Sequence, residues 1–168
     1  MRKVLTLVIA LLAMSVITPV MASATRTGVT GTISLTATSA GDLHVTKSGI
    51  LHQVGAQASG PAVSTSAELS GTMEIELNAN FNLNTGEGVA FGSFVISGAQ
   101  GSYEGMFRVR DTGFIHFTGT GEGHGTDAYE GKMVQLQFDG IDLYRDADPN
   151  TNGITMTFSG SILSPKGT

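Results

Sequence analysis

From Leu69 to Asn84 the chain alternates without a slip. The odd positions are Leu69, Gly71, Met73, Ile75, Leu77, Ala79, Phe81 and Leu83. The even positions are Ser70, Thr72, Glu74, Glu76, Asn78, Asn80, Asn82 and Asn84. A period of two puts one set on each face of an extended strand, so this run predicts a long strand with one buried and one wet face. Thr85-Gly86-Glu87-Gly88 then supplies a turn. The pattern recurs at both ends of the chain. Val29, Gly31, Ile33, Leu35 and Ala37 alternate with Thr30, Thr32, Ser34, Thr36 and Thr38. Ile154, Met156, Phe158, Gly160 and Ile162 alternate with Thr155, Thr157, Ser159 and Ser161. Further β-rich runs fall at about 43–54, 89–97, 103–110, 113–121 and 129–138, with Gly, Asp, Asn or Ser between nearly every pair. Residues 55–66, rich in Ala, Ser, Gly and Pro, read as a long loop. No window after residue 24 has helical periodicity.

The expectation is an all-β domain of about eight antiparallel strands. Such strands must hide their edges, either by closing into a barrel or by stacking as a β-sandwich. Their length favours the barrel, since sandwich strands are shorter. Gly at alternating inward positions also suits a strongly curved strand.

The first residues follow a different rule. Arg2 and Lys3 precede an apolar run from Val4 to Val20, and Ala22-Ser23-Ala24 follows. A basic start, an apolar stretch and small residues at the −3 and −1 positions make a secretory signal with cleavage after Ala24. The other reading is a retained membrane anchor, though the run is short for a span and carries Thr18-Pro19 at its far end. The expected organisation is a signal peptide over 1–24 and one barrel domain over 25–168, exported to an extracellular or periplasmic space with no membrane contact after cleavage.

Composition narrows the function. All 23 glycines follow residue 24, and the chain has no Cys and no Trp. Without cysteine there is no disulfide framework, thiolate zinc site or thiol nucleophile. Loss of Arg2 and Lys3 would move the formal net charge from −5 to −7, and the remaining cations are scattered. That surface repels nucleic acid and anionic membranes.

Gly101-Ser102-Tyr103-Glu104-Gly105-Met106 is echoed by Asp127-Ala128-Tyr129-Glu130-Gly131-Lys132, which reads as two similar turns each leading into a strand. The second copy, Gly125-Thr126-Asp127-Ala128-Tyr129-Glu130-Gly131, resembles the Gly-Gly-Thr-Gly-x-Phe/Tyr-x-Gly turn of the allene oxide cyclase and dirigent barrels, with His124 and Asp127 at two of its glycine positions. The resemblance runs over about residues 89–140. It implies an eight-stranded antiparallel barrel and association of subunits as a homo-oligomer. The cyclases place polar groups, including a cysteine, inside the barrel; with no cysteine here, no catalytic residue is carried across.

Few residues carry chemistry of their own. Asp146, Asp148, Asn150 and Asn152 offer oxygens at alternate positions, as calcium loops do. The run reads first as a hairpin loop of Asp, Pro, Asn and Gly, and second as a weak Ca²⁺ site, since Thr151 and Thr157 stand where an EF-hand has Gly and Glu. His44, His52, His116 and His124 contain no His-x-His pair, though His116 could face His44 or His52 across a barrel mouth. Glu74 and Glu76 fall on the wet face, and no Gly-x-Ser-x-Gly elbow occurs. Asn78, Asn80, Asn82 and Asn84 form a ladder that reads as a wet sheet face.

With no catalytic set and no cofactor motif, the leading expectation is a non-catalytic secreted barrel holding a small apolar ligand. Phe91, Phe94, Phe107, Phe117 and Tyr129 are the candidate lining. A cyclase- or isomerase-like enzyme and a structural cell-surface component are the alternatives. An interior plugged by Leu, Ile and Met would favour the structural one.

Overall fold

A computed structural model of the protein describes residues 24–113, 116–142 and 153–165. They form nine strands: β1 (Thr25–Ser39), β2 (Asp42–Val45), β3 (Ile50–Ser64), β4 (Gly71–Asn82), β5 (Gly88–Ser97), β6 (Ser102–Thr112), β7 (His116–Gly125), β8 (Met133–Asp142) and β9 (Gly153–Ser164). All pairings are antiparallel. From β3 to β9 each strand pairs with the next, and β1 pairs with both β9 and β3, which closes eight strands into a barrel. The barrel reading therefore holds over the sandwich. The ninth strand, β2, lies outside the closed wall and pairs with β3 alone.

The alternation assigns faces as expected. Met73, Ile75 and Ala79 of β4 are buried while Glu74, Glu76 and Asn80 are exposed. Val29, Ile33 and Leu35 of β1 and Met156, Phe158 and Ile162 of β9 point inward in the same way. Leu69 is the exception to the strand pattern. It is fully buried on a one-turn 3₁₀ helix, Ala67–Leu69, that precedes β4.

Two expectations are corrected. The β-rich run at 43–54 is two strands, because Lys47-Ser48-Gly49 makes a turn. In it Gly49 N–H donates to the Thr46 carbonyl at 3.0 Å and Gly49 has φ 80°. The run 55–66 is mostly strand, not loop. Ala56, Ala58 and Ala62 face inward and Gln57 faces out, so alternation is present but written in small residues. Gly60 and Pro61 pair with Met73 and Thr72 of β4 and have no partner in the β1 register, which suits a proline without an N–H.

β3 changes partner along its length. Its second half pairs with β1 and its first half with β2. The switch coincides with a register shift between Gln53 and Ala56, where Gly55 takes φ 68°. A left-handed residue at a bulge bends the strand, and glycine does this without steric cost. The wall thus opens beside the end of β1.

The opposite end of the barrel is closed. Leu69, Ile96, Tyr103, Val134 and Ile162 fill it, each 3% exposed or less. The two tyrosines of the sequence echo meet there, with rings stacked 5.3 Å apart at 15°. Their settings differ, however. Tyr103 already lies in β6, whereas Tyr129 lies on a 3₁₀ turn, Asp127–Tyr129. Asp127 has φ 54° and is the one non-glycine residue with positive φ among the described residues.

Candidate functional site

The barrel interior has two halves of different character. Large side chains pack the closed half. The open half has Ala56, Ala58, Ala79 and Ala90 at inward positions. An eight-stranded barrel is just wide enough for large side chains to fill, so small ones leave a space. The result is a cavity of about 650 Å³, within the usual range for small-molecule sites. Met73, Phe107 and Phe138 close its inner end. Gly121 makes room for that floor. A Cβ there would lie 2.9 Å from the Phe138 ring and 3.3 Å from the Phe94 ring, so any larger residue would push both aromatics out of place.

The side wall is apolar, with Leu35, Ile75, Leu77, Val109, Phe117, Ile154 and Met156. The mouth lies where β1 ends and β2 begins. Leu43 of β2, Leu51 of β3, Phe81 of β4 and Leu83 line it, and Leu43 and Leu83 are exposed to solvent. Exposed apolar residues around a concave opening mark a binding entrance more than a neutral surface.

Polar residues around the cavity and its mouth are few among the described residues: Thr38, Ser39, Gln53 and Asp111, with outward-facing Gln57 at the rim. Gln53 is held in place by donating from Nε2 to the Ala40 carbonyl at 2.9 Å, which ties β3 to the β1–β2 link. Asp111 is the one carboxylate on the wall among the described residues and is 5% exposed.

The aromatic residues expected to line a cavity separate. Phe107 and Phe117 do line it. Phe94 is buried behind the floor, beside Gly121 and Gly123. Phe91 is 43% exposed on the outer face of β5. Its parity is opposite to that of Phe94, so the two cannot both face inward from one strand. Tyr129 belongs to the closed end. Phe81 and Phe138 complete the aromatic lining, and Asp111 adds a polar group; none of the three was named as cavity lining from sequence, although Phe81 was read as inward. All three continue inward rows of their strands, which was the signal available.

The closed end carries an ionic knot. The Tyr103 hydroxyl donates to Glu68 Oε2 at 2.7 Å, and Lys132 Nζ donates to Glu68 Oε1 at 2.8 Å. Lys132 also sits 5.4 Å from the centre of the Tyr129 ring. Burial alone would raise the Glu68 carboxyl, but the hydrogen bonds from Lys132 and Tyr103 and the Lys132 charge outweigh it and hold Glu68 below its ordinary value of 4.5. Burial, then the bond to Glu68 and its charge, push the Tyr103 phenol well above its usual range, so it stays a neutral donor. The knot pins the Ala67–Leu69 turn to β6 and to the start of β8, which keeps that end shut.

The histidines lie on outer faces. His44 and His52 pair across β2 and β3 with rings 6.4 Å apart, and His52 Nδ1 bonds Asn80 Oδ1. His116 Nε2 lies 3.0 Å from Asp139 Oδ1 on β8, away from both. Among the described residues no group of three or more His, Asp or Glu is placed to hold a metal. Asp146, Asp148, Asn150 and Asn152 lie outside the described residues.

A closed β-barrel with an apolar, open-ended cavity is the class that fold and site define. Compared with protein-family models, with curated proteins and with solved structures, the chain matches none.

Proposed function

We propose that the protein is an exported, non-catalytic binding protein that holds one small apolar ligand in the open half of its barrel. The observation that carries this reading is the run of alanines at inward positions of that half, against large side chains in the other. A barrel with only a structural role gains stability by filling its interior, at about 0.8 kcal/mol per buried methylene. This interior is left hollow on one side and lined with apolar atoms, which favours occupancy by an apolar molecule.

Export is supported by Arg2-Lys3, the apolar run and Ala22-Ser23-Ala24. The Gly125–Gly131 turn supports a kinship with the allene oxide cyclase and dirigent barrels. An isomerase-like enzyme is the second reading, and a carboxylate on the wall, Asp111, favours it. Turnover of a bound ligand rather than its unchanged recovery would support that alternative.

The test is a fluorescence titration with Nile red, a neutral dye that brightens in apolar surroundings. The expected result is saturable binding at one site, weakened at least about tenfold by Ala58→Phe, which places a ring in the cavity. Absence of saturable binding, or equal binding by the filled variant, would overturn the proposal.

A further inference from the structure

We infer that His44 and His52 form a site for one divalent transition-metal ion of the zinc and copper class, and that the ion pins β2 onto β3. The inference concerns the outer face of the rim. It stands whether or not the cavity holds a ligand.

His44 of β2 and His52 of β3 are register partners. Directly opposed residues share a face of the sheet, so both imidazoles project from the outer side. Their rings are stacked, with centroids 6.4 Å apart and planes at 20°. Zinc takes imidazole nitrogen at about 2.0–2.1 Å, which puts the ring centre about 3.2 Å from the ion. Two rings that share one ion therefore have centres at most about 6.4 Å apart, and about 5.2 Å apart at a tetrahedral angle. The observed pair stands at the outer limit of that range. His44 is exposed, so a turn of its side chain closes the remaining ångström or so.

His52 is already set for the task. Its Nδ1 bonds Asn80 Oδ1 of β4, its register partner on the other side. A carbonyl oxygen only accepts, so Nδ1 carries the proton and Nε2 keeps its lone pair. This is the outer-shell bond that metal-binding histidines make, and it fixes both tautomer and ring. His44, His52 and Asn80 thus form one row across three strands, two ligands and an orienting group. Neutral imidazole suits zinc, copper and nickel, whereas calcium and magnesium take oxygen. With two protein ligands, water completes the shell.

The place of the site gives the ion its effect. β2 has four residues, all exposed, and among the described residues it pairs with β3 alone. A strand with few contacts and one neighbour opens most readily. An ion shared by His44 and His52 adds a cross-link in the middle of β2. Leu43 and Gln53, the adjacent register pair, occupy the inner face and line the cavity. The metal site therefore sits back to back with the rim and holds its shape.

The experiment is a calorimetric titration with Zn²⁺ at about pH 7.5, above the ordinary histidine range. The expected result is one ion per chain. His44→Ala should weaken it at least about tenfold, and Asn80→Ala, which removes the orienting acceptor, about tenfold. His116→Ala, whose imidazole pairs with Asp139, should bind as wild type does. Hydrogen exchange reads the cross-link. Thr46 N–H donates to the Ile50 carbonyl at 2.9 Å, and bonded pairs alternate along an antiparallel ladder, so the His44 amide also faces β3. With zinc at about ten times its dissociation constant, exchange at His44 should slow about tenfold in wild type and stay unchanged in His44→Ala. Absence of zinc uptake overturns the inference. So does uptake that survives in His44→Ala or falls equally in His116→Ala. Uptake at the pair without slower exchange at His44 overturns the pinning of β2.

Discussion

Replacing Ala58 with leucine should stabilise the ligand-free protein. Ala58 lies on β3 between Ala37 of β1 and Ile75 of β4, and its side chain faces the cavity. Leucine adds three carbons, worth about 2.4 kcal/mol if all are buried in apolar surroundings. Fixing the longer side chain costs about 0.5–1 kcal/mol. The net gain is about 1.5 kcal/mol. For a domain of this size, at about 4 °C per kcal/mol, the midpoint should rise by about 6 °C. Ala62, four residues on, is the control. It is 2% exposed and, unlike Ala58, does not line the cavity. There the same added carbons meet existing atoms, and overpacking should cost about 1–3 kcal/mol. Thermal melts of delipidated protein, followed by far-UV circular dichroism, read both. If Ala58→Leu and Ala62→Leu destabilise equally, the open half is not hollow and the argument fails.

Two further outcomes test the faces and the closed end. Ile75→Asp should cost several kcal/mol and Glu76→Lys under about 1 kcal/mol, because the first faces inward and the second faces water; urea midpoints that fall equally would contradict the assignment. Glu68 titrates below its ordinary value in the folded barrel, so its contribution is present above pH 4.5 and is lost as pH falls through the lower folded value. Glu68→Gln should therefore lie below wild type in stability at neutral pH and converge with it in acid. A gap that does not change with pH would rule out the ionic knot.

The parts of the fold readable from sequence are those where large and polar residues alternate. β1, β4 and β9 show this, and their faces follow from parity alone. The second half of β3 hides the same alternation behind Ala, Gly and Ser, whose composition is also that of a loop. Ala56 and Ala58 of that stretch border the cavity, so part of what obscured the strand is what makes the site. Parity says which residues face inward but not whether the interior at their level is filled. That depends on which rows from eight strands meet, and those registers are set by pairings such as Ala58 with Ala37 and Ile75. Phe107 and Phe117 were therefore legible as inward aromatics, while Phe81, Phe138 and Asp111 became site residues only once the strands were in register. Tyr129 was misleading for a related reason. It lies on a turn, and that turn sits at the opposite end of the barrel.

Native mass spectrometry of the protein purified from its own host, without detergent, weighs the occupant of the cavity. The ligand-holding account predicts a small-molecule mass above that of the polypeptide, retained by wild type and absent from Ala58→Phe. A bare polypeptide mass for wild type, in a preparation that also fails to take up Nile red, would contradict it.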